Sequence, residues 1–127
     1  MFVAIASFSQ QKTSSDSAKK VIKEEGYEMK QYFFVMLTRG DNRTQDSATA
    51  ARLQQGHMDN INRLATDGKI MVAGPFGDNG NWRGIFIFDA TTKEEVEGYL
   101  NTDPAVKAGR LAYEIKPWWT AKNCVFK

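Results

Sequence analysis

Two stretches of this chain are apolar on both sides at once, and that limits the folds open to it more than any other feature. In QYFFVMLTR (31–39) an extended backbone sends Phe33, Val35 and Leu37 to one face and Tyr32, Phe34 and Met36 to the other. In RGIFIFDA (83–90) Ile85 and Ile87 oppose Phe86 and Phe88 in the same way. Strands of this kind belong in a sheet that is covered on both faces.

The rest of the sequence supplies cover for one face. ATAARLQQGHMDNINRLATDG (48–68) has helical spacing and is closed by Gly68 just beyond its end. KIMVAGPF (69–76) reads as a second strand, ended or bent at Gly74-Pro75. The glycine-rich GDNGNW (77–82) connects it to the third, its glycines serving turns. Thr91 and Thr92 stand before Glu94 and Glu95 at capping-box spacing and start a second helix, with Val96, Tyr99 and Leu100 on one side. Asp103-Pro104 stops that helix, and LAYEIKPWW (111–119) holds a fourth strand. The order β-α-β-β-α-β predicts an α+β, ferredoxin-like fold. Two helices cover one face of a four-stranded sheet. A second copy of the same sheet would cover the other, so the pattern predicts a homodimer packed through the sheet faces, a dimeric α/β barrel.

A length of 127 residues fits one domain, placed here at 31–119. Residues 1–30 read as an N-terminal arm. MFVAIASFSQ is a short apolar run ending in small residues, the form of the end of a secretory signal, and a polar linker follows it. Export to the periplasm follows if it is one; otherwise the chain is cytoplasmic. Residues 120–127 read as a tail. Lys+Arg at 17 against Asp+Glu at 15 leaves no electrostatic footprint for nucleic acid. No apolar run is long enough to span a bilayer, which argues against a membrane protein. The single cysteine, Cys124, can close no intramolecular disulfide, and no zinc-ligand spacing occurs.

The single histidine, His57, is oddly placed. At about 100° per residue, Leu53, His57, Ile61 and Leu64 fall within an arc of about 80°, while Asp59, Asn62 and Arg63 lie outside it. A titratable ring thus stands where a leucine would pack. Strand and helix directions decide which acid can meet it. Arg39, the loops 40–47 and 77–83, and Asp103 all collect at one lip of the fold. His57 lies roughly 13 Å below that lip, and Asp67 about 15 Å further along the same helix. Asp67 is out of reach and Asp59 points away, which leaves Asp103 and Asp78. Either must reach from the lip to mid-depth, and Asp103 does so only if its loop folds inward over the helices.

A carboxylate on one ring nitrogen fixes the tautomer and leaves the other nitrogen as a general acid/base. Such a pair in an apolar cavity suits proton abstraction from a small molecule. Arg39 would hold an anionic group, and Tyr32 and Trp82 would stack on a ring. Without a nucleophilic serine motif, a dinucleotide fingerprint or a metal cluster in the sequence, the expected reaction uses no cofactor and no metal. Plainer roles stand beside these. His57 suits a core histidine bonded to a backbone carbonyl. Asp103-Pro104 followed by AVKAG reads as a helix cap with proline in the first turn. Arg39 suits a surface ion pair, and Trp118 and Trp119 suit the sheet edge or a dimer rim.

The segments YFFVMLTRG, HMDNINRLATDGKIMVAGPF, RGIFIFDA and TDPAVKAGRLAYEIKPW, taken together and in this order, resemble the YCII-related family over about residues 31 to 119. The resemblance implies a ferredoxin-like dimeric α/β barrel. It also implies an active site marked by a histidine and an aspartate, which by position are His57 and Asp103. Two functions remain open. One is a small-molecule enzyme, lyase, isomerase or hydrolase-like, with His57 as acid/base and Asp103 as its partner. The other is a non-catalytic binding or interaction module in which the histidine is structural.

Overall fold

A computed structural model describes residues 27–126. The elements run β1 (Met29–Arg39), α1 (Ser47–Thr66), β2 (Ile70–Pro75), β3 (Trp82–Phe88), α2 (Lys93–Leu100), α3 (Pro104–Lys107) and β4 (Leu111–Ala121). This is the expected order with one short helix, α3, added after α2. Residues 32–117 form one compact unit; the described parts of the two ends, 27–31 and 118–126, belong to a second. In that second unit the Lys122 amide donates to the Glu28 carbonyl at 2.7 Å. The arm read at 1–30, with its signal-like start, lies outside the described residues except for its last four. Strand β4 runs two residues into the stretch read as a tail.

The four strands make one antiparallel sheet in the order β2-β3-β1-β4. Phe33 pairs with Phe88, Phe34 with Ile87, Val35 with Phe86 and Met36 with Ile85. The two faces therefore sort as the alternation predicts. Phe33, Val35, Leu37, Phe86 and Phe88 meet Ile70 of β2, Leu64 of α1 and Val96 and Leu100 of α2 in one core. Phe88, Val35 and Val96 are wholly buried, and each such side chain contributes about 1.5–3 kcal/mol of burial. On the opposite face Tyr32, Phe34, Met36 and Ile85 are half-buried.

Two irregularities shape the end of the sheet where the site lies. Between the pairs Leu37–Gly84 and Thr38–Trp82 the register slips, so Arg83 is the extra residue of a β-bulge. Gly40 packs so tightly that a Cβ there would lie 2.0 Å from the Gly109 carbonyl oxygen. The Gly40 amide donates to the Arg110 carbonyl and the Asn42 amide to that of Gly109. The loop after β1 is thereby fastened to the loop before β4.

Candidate functional site

Helix α1 carries His57 into the interior. Its N-cap is Asp46, whose Oδ1 accepts from the Thr49 amide at 2.7 Å. It ends at Asp67, followed by Gly68 at φ +76°, a left-handed position that suits glycine. His57 and Leu64 are buried, Leu53 and Ile61 half-buried, and Asp59, Asn62 and Arg63 exposed. The apolar stripe is thus real, and His57 sits in it.

Asp103 caps α3, with Pro104 in the first turn behind it, as the Asp-Pro pair predicts. Its Oδ1 accepts from the Ala105 amide at 2.8 Å. Its Oδ2 lies 2.5 Å from His57 Nδ1. Both groups are buried, Asp103 at 1% exposure and His57 at 8%. Asp78, the other aspartate at the lip, turns its Oδ1 to the Gly80 amide instead, at 3.3 Å.

The inward fold of the Asp103 loop has a definite cause. Gly56, next to His57, faces Pro104, and a Cβ on Gly56 would lie 2.8 Å from Pro104 Cγ. The bare glycine lets α3 settle on α1 and brings the cap carboxylate to the ring. The turn before α3 is fastened too. Thr102 Oγ1 donates to Asn60 Oδ1 at 2.9 Å, and Arg63 donates to both Thr102 Oγ1 and Asn60 Oδ1. Gly56 was legible only as a helix glycine without a turn to serve, a pattern that signals close packing.

An ionised carboxylate accepts but does not donate, so opposite an ionised Asp103 the donor is Nδ1–H, and Nε2 is the nitrogen left without a proton. Among the described residues nothing hydrogen-bonds to Nε2, yet no buried side-chain polar atom lacks a partner. Nε2 is therefore not a sealed-in atom, and His57 lines a cavity of about 300 Å³ between α1 and the sheet. The cavity walls are mostly apolar, with Leu37, Ile61, Pro75, Phe86 and Leu111; Gln54 and Arg83 join His57 as the polar groups. The ring centroids of His57 and Phe86 are 6.3 Å apart. Gly84 keeps one wall bare: a Cβ there would lie 2.7 Å from the Gly74 carbonyl oxygen.

The residues expected to bind substrate lie elsewhere. Arg39 donates to the Gly80 and Asn79 carbonyls and to Asn79 Oδ1, at 3.2–3.4 Å, and holds the lip turn instead of lining the cavity. Tyr32 lies on the sheet face away from the helices. Trp82, 58% exposed, packs against Phe76 and borders a recess with Phe34 and Met36 on that same outer face. The cation at the cavity is Arg83. Strict alternation sends Arg83 outward with Ile85 and Ile87, and the bulge overrides it, so alternation alone does not reveal it. Among the described residues no three His, Cys, Asp or Glu side chains gather as a metal site would require, and no helix is long and apolar enough to cross a membrane. Cys124 is exposed.

Residues 32–119 match the sequence profile of the YCII-related domain. The uncharacterized protein YjpA of Bacillus subtilis (strain 168) is 28% identical over 87 residues, covering 68% of this chain and 94% of that protein. Two solved structures share the fold. One is 5-chloro-2-hydroxyhydroquinone dehydrochlorinase (TftG) from Burkholderia phenoliruptrix AC1100, in complex with 2,5-dihydroxybenzoquinone. It has a TM-score of 0.50 and 22% identity, over 68% of this chain and 92% of that one. The other is muconolactone isomerase, at TM-score 0.57 and 18% identity, over 76% of this chain and 96% of that one. Likeness at these identities places the chain in the ferredoxin-like fold.

Proposed function

The chain belongs to the YCII-related family, and on that premise we propose that it is an enzyme that moves a proton on a small molecule, with His57 as general acid/base and Asp103 as its partner. One observation carries this reading: Nδ1 of the ring is held by a buried carboxylate at 2.5 Å while the same residue lines a cavity of ligand size, leaving Nε2 as the nitrogen that can serve a ligand. In the forward step Nε2 takes a proton from a carbon or oxygen acid in the cavity. The ring becomes an imidazolium whose charge the Asp103 carboxylate faces. The electron pair left on the substrate either moves to a neighbouring bond, with the proton returned at another atom, or expels a leaving group. The first course is an isomerisation and the second an elimination. Both can proceed with side chains alone, so the proposal names no cofactor. The two structural neighbours, a dehydrochlorinase and an isomerase, make compact ring compounds a reasonable substrate class.

The test is turnover of a panel of ring lactones and chlorinated hydroxyhydroquinones by wild type and His57→Gln. Loss of about 10²- to 10⁴-fold in kcat, with the fold intact by circular dichroism, is the expected result. Undiminished turnover by His57→Gln would overturn the proposal.

A second reading has an observation of its own. Asp103 Oδ1 caps α3, so its carboxylate has structural work whatever the ring does. In that reading the cavity only binds, and His57 holds α3 in place. His57→Gln would then lower stability by about 2–4 kcal/mol in urea unfolding and leave ligand affinity unchanged.

The homodimer belongs to the proposal as well. Phe34 pairs with Ile87 and Met36 with Ile85 across the outer sheet face, and a second copy laid sheet to sheet is the cover we assign to it.

A further inference from the structure

Four arginines meet at the lip of the His57 cavity, and neutral oxygens hold all of them. Arg39 and Arg83 clasp the same turn: both donate to Asn79 Oδ1 and to the Gly80 carbonyl. Arg43 donates to the Arg110 carbonyl at 2.7 Å, and Arg110 donates to Gln45 Oε1 at 3.1 Å. Among the described residues none of the four forms an ion pair with a carboxylate. The aspartates of these loops are otherwise engaged or outward: Asp46 caps α1, Asp78 turns to the Gly80 amide, and Asp41 is exposed. Burial first, and then Arg110, Arg39 and Arg83, make the Arg43 guanidinium easier to deprotonate than usual. The Gly40 amide, next to Arg39, donates to the Arg110 carbonyl at 2.9 Å, and Arg43 donates to the same carbonyl, so the loops that carry these arginines are fastened together.

Uncompensated like charges at the lip oppose folding, and an anionic ligand would relieve the repulsion. Arg83 is itself in the cavity wall, and Leu111, beside Arg110, is in it too. One-signed charge around a low-dielectric cleft concentrates ligands of the opposite sign. We propose that the lip makes this cavity a site for a small carboxylate-bearing ring compound, with Arg83 holding the carboxylate and Arg39, Arg43 and Arg110 drawing it in. About 300 Å³ of mainly apolar space accepts one such ring. This assignment rests on the reading of the cavity as a substrate site, and it names the substrate's charge.

The experiment titrates the full chain with benzoate, with its neutral counterpart benzamide and with inorganic phosphate, following the NMR signals of the single histidine. Benzoate is expected to shift them and to bind at least tenfold more tightly than benzamide. Arg83→Gln should abolish that preference, and the exposed Arg43→Gln should weaken benzoate severalfold. Added potassium chloride should weaken it too, because salt screens the lip charges. Equal affinity for benzoate and benzamide, or a full preference surviving both arginine variants, overturns the assignment. So does phosphate binding alone, which would put the anion at the lip and not in the cavity. The readout is binding, so it separates from the enzymatic proposal. Benzoate preference without His57-dependent turnover supports the anion site while removing the catalysis; turnover of neutral substrates with no such preference does the reverse.

Discussion

Gly56 decides by its missing side chain where Asp103 goes. In an exposed helix, alanine in place of glycine gains about 1 kcal/mol. Here the new methyl would lie 2.8 Å from Pro104 Cγ, so α3 must move off α1. Gly56→Ala is therefore expected to stay folded while loosening the contact between Asp103 and His57, read as a changed ring ¹⁵N spectrum. A stabilised protein with an unchanged ring would contradict this. The same residues show what sequence can reveal. His57 stood out because a polar ring interrupts an apolar stripe, and Asp103 was legible as a cap because Asp-Pro is a local signal. Their meeting was legible only as a condition, an inward fold of the Asp103 loop, because that fold depends on a contact between Gly56 and Pro104 across two helices. Arg83 was hidden for a related reason. Its direction is set by a bulge between β1 and β3, which alternation along β3 cannot encode, and so the sequence points to Arg39 instead.

Among the elements, α2 was the most readable. Thr92 Oγ1 accepts from the Glu95 amide at 3.2 Å, and Glu95 Oε1 from the Thr91 amide at 3.0 Å, as the spacing of those residues predicts. Thr92→Ala should cost about 1 kcal/mol in urea unfolding. Glu95 also accepts from the Tyr99 hydroxyl at 2.6 Å. That bond, then the Thr91 amide, holds the Glu95 carboxyl below its ordinary range, and the same bond raises the Tyr99 phenol. The signs follow. Glu95 contributes stability above the usual carboxylate range and loses it as pH falls through its lowered value. Tyr99 contributes below the usual phenol range and loses it as pH rises through its raised value. Tyr99→Phe should therefore flatten the stability profile at both ends, checked by urea midpoints across pH. The start of α1 was less readable, since Asp46 caps it without a glutamate three residues on. Helix α3, a single turn, was legible only as a cap and a stop.

At the scale of the whole molecule, the two-sided apolar strands carry the account. One face is filled by the helices. The other, with Phe34 and Met36 half-buried, is expected to meet a second copy. Light scattering on the eluted protein should give the mass of two chains, and Met36→Lys should give one. A wild-type monomer at all concentrations would contradict the dimer. The strands and their faces were legible because period-two alternation is local; the order of the strands in the sheet and the cover of the outer face depend on contacts that alternation does not encode. The site stands or falls on one ring, and with one histidine in the chain its signals need no assignment. The most direct measurement is the long-range ¹H–¹⁵N NMR spectrum of the neutral His57 ring in the wild-type protein. The account predicts a proton on Nδ1, held by Asp103, and an unprotonated Nε2 that shifts when a ligand enters the cavity. A proton fixed on Nε2, or an Nε2 signal that no cavity ligand moves, would contradict it.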